Sequence, residues 1–92
     1  MKFVFTETKE IDLDIDFQKV YDYVKKELES DPDYHPTIWN IHCNFGDNMD
    51  YYLKNIYGYI VEDNESNQFT MDYIFKEWGN WIHNNFENNE ED

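Results

Sequence analysis

The period of the apolar residues changes at Asp16, and that change constrains the fold more than any other feature of the chain. From Lys2 to Phe17 the repeat is two: Phe3, Phe5, Ile11, Leu13 and Ile15 share one parity, and Glu10, Asp12, Asp14 and Asp16 share the other. Such alternation marks a strand with one buried face. The polar residues Thr6 to Lys9 divide the stretch into two short strands joined as a hairpin, with one long strand as the alternative because no Gly marks a turn. Beyond Asp16 the spacing becomes three and four, through Phe17, Val20, Tyr21, Val24 and Leu28, while Asp22, Lys25, Lys26 and Glu29 turn to water. This is a helix, capped by Asp16 and stopped at Asp31-Pro32-Asp33, with a turn following through His35-Pro36.

Period two returns from Thr37 to Phe45, where Trp39, Ile41, Cys43 and Phe45 share one face and Asn40, His42 and Asn44 the other, and predicts a third strand. Gly46 ends it. Asp47 or Asn48 then caps a second helix on Met49, Tyr52, Leu53, Ile56 and Ile60, running to Glu62 and weakened at Gly58 by about 1 kcal/mol relative to Ala. Asp63 to Gln68 is a wholly polar loop, and Thr70 caps a third helix on Met71, Ile74, Phe75, Trp78, Ile82 and Phe86. The order predicts an α+β fold: a small antiparallel sheet of two N-terminal strands plus one central strand, packed with three amphipathic helices. Ninety-two residues suffice for one core, here built largely from seven Phe, eight Tyr and three Trp. The domain is expected to span residues 1–86, leaving 87–92 as an acidic flexible tail.

Catalytic motifs are sparse. Ser30 and Ser66 lie in polar surroundings with no His nearby in sequence. Cys43 beside His42 pairs a nucleophile with a base, but strand neighbours point to opposite faces, so Cys43 is expected in the core. His35, His42 and His83 lack the spacing of a metalloprotease helix. Asp63, Glu65 and Asn67 alternate like calcium-loop ligands, yet Gln68 stands where that loop needs Gly and Ile74 where it needs a bidentate Glu. Gly46, Gly58 and Gly79 are isolated, so there is no phosphate-binding loop. Neither an enzyme nor a metal or other cofactor is expected.

Charge carries the functional signal. Twenty-one Asp and Glu face seven Lys and no Arg, for a formal charge of −14. Direct nucleic-acid binding and attachment to anionic membranes both need the cations this chain lacks. One cysteine, no secretory leader pattern and no long apolar run predict a protein of the cytoplasm. The carboxylates of Glu10, Asp12, Asp14 and Asp16 form a ladder with steps of about 6.7 Å at a rise of about 3.3 Å per residue, a scale comparable to the phosphate spacing of a duplex. Glu27, Glu29, Asp31, Asp33, Asp47, Asp50, Glu62, Asp63 and Glu65 extend the acidic surface, and Tyr23, Tyr51, Tyr57 and Tyr59, beside the helical stripes, add flat amphipathic contact area.

In size, acidity, lack of Arg, Tyr- and Asn-rich style and the carboxylate ladder, the whole chain resembles the small phage-encoded DNA-mimic inhibitors. These include anti-restriction proteins such as the Arn protein of T-even phages, and acidic anti-CRISPR proteins. The resemblance implies binding to the DNA-binding surface of a host defence protein, a restriction nuclease or a CRISPR effector, in the bacterial cytoplasm, with a homodimer lengthening the false duplex. It supplies no motif on which individual residues can be aligned. The alternatives are an immunity- or antitoxin-type inhibitor and a plain acidic interaction module, because an acidic face is commonly only solvated surface.

Overall fold

The computed structural model describes residues 1–6, 10–31, 33 and 37–86. Two strands, β1 (Lys2–Thr6) and β2 (Glu10–Asp14), pair antiparallel, with Phe3 opposite Leu13 and Phe5 opposite Ile11. The hairpin expected from the alternation is therefore present, and its inward parity is the apolar one. Helix α1 (Phe17–Glu29) begins where the period changes: the Asp16 carboxylate accepts from the Gln18 and Lys19 amides at 3.0 and 3.4 Å. Phe17, Val20, Tyr21 and Val24 are buried, as their spacing requires, and Leu28 packs against them at half burial. The hairpin turn at 7–9, the stop at Pro32, the turn through His35-Pro36 and the acidic end 87–92 lie outside the described residues.

Beyond α1 the fold departs from the expected one. Four helices and a two-stranded sheet replace three helices and a three-stranded sheet. The predicted third strand is helix α2 (Ile38–Asp47), whose first turn is capped by the Thr37 hydroxyl accepting from the Asn40 amide at 3.1 Å. Thr37 to Phe45 carries two periods at once, and Ile38, Ile41 and Phe45, spaced three and four apart, are the residues that reach the core. Trp39, expected inside on the strand reading, is 69 % exposed, and Cys43 is only half-buried.

Helix α3 (Met49–Tyr57) follows after one break at Asn48. It ends five residues before the expected Glu62, because Gly58 takes a left-handed φ of 69° and turns the chain out of the helix. Ile60, assigned to the helical stripe, is consequently exposed on the connecting segment. Helix α4 (Glu65–Asn85) starts inside the predicted polar loop, and its cap is Asn64, which accepts from the Asn67 amide at 2.8 Å. Thr70 is therefore interior to α4 and donates its hydroxyl to the Val4 carbonyl at 2.8 Å.

The first two turns of α4 serve the edge of β1. Asn67, 1 % exposed, accepts from the Thr6 amide at 2.8 Å and donates to the carbonyls of Thr6 and Glu62 at 3.1 and 2.8 Å. Asn64 adds a donor to the Thr6 carbonyl at 2.9 Å. Three polar side chains at intervals of three, Asn64, Asn67 and Thr70, thus replace a neighbouring strand, which explains a helix face without apolar residues. Farther along, Ile74, Trp78 and Ile82 take over the same face. Trp78 is fully buried, lies 4.8 Å from the ring of Phe45 and 5.7 Å from that of Phe17, and donates its indole N–H to the His42 carbonyl. It joins α1, α2 and α4 around one core.

Candidate acidic interface

The carboxylates expected to form the acidic surface fall into groups with different jobs. On the solvent face of the hairpin, Glu10, Asp12 and Asp14 are all exposed, opposite Thr6, Val4 and Lys2 respectively. Asp14 is engaged by the N-terminal ammonium at 2.9 Å, the one ion pair within 4 Å among the described residues. Asp16, the fourth rung of the expected ladder, is committed to capping α1. Free, exposed carboxylates on that face are therefore those of Glu10 and Asp12, and the ladder is shorter than its spacing suggests.

Glu27 is an internal tie. Its two oxygens accept from the hydroxyls of Tyr51 at 2.8 Å and Tyr52 at 2.9 Å, and Asn44 of α2 donates to the Tyr52 oxygen at 2.8 Å. One carboxylate thereby links α1, α2 and α3. Burial and then the bond to Glu27 hold the Tyr52 phenol well above its ordinary pKa, while the bond to Glu27 is the leading cause of the rise at Tyr51. Burial likewise raises Tyr57, whose oxygen accepts from the Asp16 amide at 2.9 Å. Of the four tyrosines expected on the surface, Tyr51 is exposed and Tyr23, Tyr57 and Tyr59 pack against the core. Glu29, Asp31 and Asp33 are exposed at and beyond the C-terminal end of α1, where Asp31 accepts from the Asp33 amide, and Glu65 lies in the first turn of α4, where the helix dipole favours a negative charge.

The remaining four converge. Asp47 and Asp50, at the junction of α2 and α3, and Glu62 and Asp63, on the segment before α4, line one cleft of ≈ 640 Å³ together with Asp72. Among the described residues no Lys lines this cleft, whereas Lys19 and Lys26 both line a separate groove beside Asn55 and Ile56. Its floor is partly apolar, with Met49, Val61, Met71 and Phe75 among the lining residues. Gly46 is also part of the wall, because a Cβ there would overlap the Phe75 ring. Asp72 was not singled out in the sequence, yet Gln68, Met71, Asp72 and Phe75 recur at three- and four-residue intervals and line the cleft as one face of α4. Met71, Asp72 and Phe75 lie within the helix expected from Thr70, and the start at Glu65 adds Gln68 to that face.

Among the described residues, no three His, Cys, Asp or Glu side chains converge in a way that could hold a metal ion. The five cleft carboxylates form a diffuse negative field over an open surface. His42 and Cys43 are successive residues of α2, and the His42 ring stacks on Phe75 at 5.2 Å and lies 5.6 Å from Trp39. No described helix is long and apolar enough to cross a membrane. A scan of protein families, of curated proteins and of solved structures finds no match to this chain.

Proposed function

We propose that this protein acts by binding, without catalysis, as an acidic decoy that occupies the basic DNA-binding surface of a protein in the bacterial cytoplasm. The observation that carries the reading is the segregation of charge: five carboxylates line one cleft with no basic side chain among its described lining residues, in a chain of charge −14 where a single ion pair joins two described residues. Carboxylates left unneutralised sustain a long-range field, which speeds encounter with a Lys- and Arg-lined groove and weakens in salt. The long axis of 46 Å exceeds one duplex turn of about 34 Å, so a groove built for a turn of DNA can be covered along its length. A host restriction nuclease or CRISPR effector fits this description.

The experiment removes the charge and keeps the shape. The combined variant Asp47→Asn, Asp50→Asn, Glu62→Gln, Asp63→Asn and Asp72→Asn is compared with the wild type in capturing proteins from a bacterial lysate. DNA-binding proteins retained by the wild type and lost by the variant support the reading. Identical capture by two equally folded proteins removes the cleft from it. The apolar floor favours a second reading, an immunity-type inhibitor that inserts into an active site, for which complexes withstand high salt.

A further inference from the structure

The two edges of the hairpin are treated differently. On β1, α4 takes both outward groups of Thr6 and the Val4 carbonyl, since Thr6 exchanges bonds with Asn67 and Val4 accepts from Thr70. Hydrogen-bonded and non-bonded pairs alternate along an antiparallel ladder. Met1 and Ile15 exchange both bonds, at 2.7 and 3.0 Å. Counting from that pair, Phe3–Leu13 and Phe5–Ile11 are the bonded pairs, and Lys2–Asp14, Val4–Asp12 and Thr6–Glu10 are the non-bonded ones. The backbone N–H and C=O groups of Glu10, Asp12 and Asp14 therefore point away from β1, along the outer edge of β2, where no described residue bonds to them. Burial is also unequal. Phe3 and Phe5 of β1 are 2 % and 0 % exposed, whereas the inward residues of β2, Ile11 and Leu13, are only half-covered.

We infer that the β2 edge accepts a third strand, an extended segment of a partner protein in which Lys or Arg alternates with apolar residues. Residues opposite Glu10, Asp12 and Asp14 bring their side chains to the same solvent face as the three carboxylates, so they are the basic ones. The intervening residues fall on the face of Ile11 and Leu13 and complete its cover. A second copy of this chain does not fit, because β2 against β2 sets carboxylate opposite carboxylate. The inference rests on the decoy reading in taking a basic partner, and goes beyond it in naming the element gripped and the conformation of what grips it.

The test uses the full chain and a short peptide alternating Lys and Val, with a second peptide N-methylated at every Lys amide, which keeps the charge and removes the donors facing the edge. The plain peptide is expected to bind, to slow hydrogen exchange at the Glu10, Asp12 and Asp14 amides, and to bind about tenfold or more tightly than the methylated one, as loss of several backbone bonds implies. Equal affinity of the two peptides, no measurable binding of either, or binding that leaves those three amides unprotected overturns the inference. The outcome is independent of competition by DNA: edge protection together with a lysate partner indifferent to duplex DNA retains the strand site and discards the decoy reading, and the converse pair does the reverse.

Discussion

Asn67→Ala tests the junction on which the fold turns, because one buried side chain replaces a strand at the β1 edge. The substitution removes three hydrogen bonds and leaves the Thr6 amide and the Glu62 carbonyl without the partner each had in Asn67, while the Thr6 carbonyl keeps Asn64. Each orphaned buried group costs about 1–3 kcal/mol, with these two toward the lower end because they are only partly buried. Ala returns about 0.5 kcal/mol as the better helix former. The net loss is about 1.5–2.5 kcal/mol, which for a domain of this size lowers Tm by roughly 6–20 °C at 4–8 °C per kcal/mol. Thermal unfolding followed by far-UV circular dichroism reads the shift, and amide exchange at Thr6 should accelerate together with it. Asn67→Asp keeps the acceptor for the Thr6 amide but loses both donors and buries a charge, so it should be at least as damaging. A fall in Tm below about 3 °C for Asn67→Ala would refute the claim that this side chain holds the hairpin to α4.

Three further outcomes follow from burial and the charge distribution. The Tyr52 and Tyr57 phenols have pKa values raised above 10 in the folded state, so the native protein holds their protons more tightly than the unfolded chain; that stability is intact below about pH 10 and is lost as the pH rises from there through the folded values. Denaturant titrations should show stability falling above pH 10, and Glu27→Gln should let Tyr51 and Tyr52 ionise at lower pH, read from tyrosinate absorbance; an unchanged titration curve would contradict the assigned cause. With one ion pair among the described residues against a formal charge of −14, added NaCl should raise Tm by screening repulsion, and a Tm that falls with salt would show attractive pairs to dominate.

The hairpin and α1 were legible because each carries one period and a usable boundary: Asp16 ends the alternation and caps the helix that follows. The Thr37 to Phe45 run was not, since its apolar residues satisfy both periods, and only the tertiary structure selects Ile38, Ile41 and Phe45 over the parity of Trp39 and Cys43. The start of α4 was hidden for a different reason. Its inner face there is polar by function, and a search for apolar stripes passes over Asn64, Asn67 and Thr70. The acidic surface was legible as composition but its distribution was not: Asp16 and Glu27 turn out to hold the fold together, while the cleft gathers Asp47, Asp50, Glu62 and Asp63 from segments that sequence reading kept apart and adds Asp72.

The most direct measurement takes a partner captured from bacterial lysate and measures its affinity for this protein across a salt series, with and without competing duplex DNA. The decoy account predicts that duplex DNA displaces the protein competitively and that log affinity falls steeply with log salt. A complex that persists unchanged in high salt and in excess duplex DNA would contradict it.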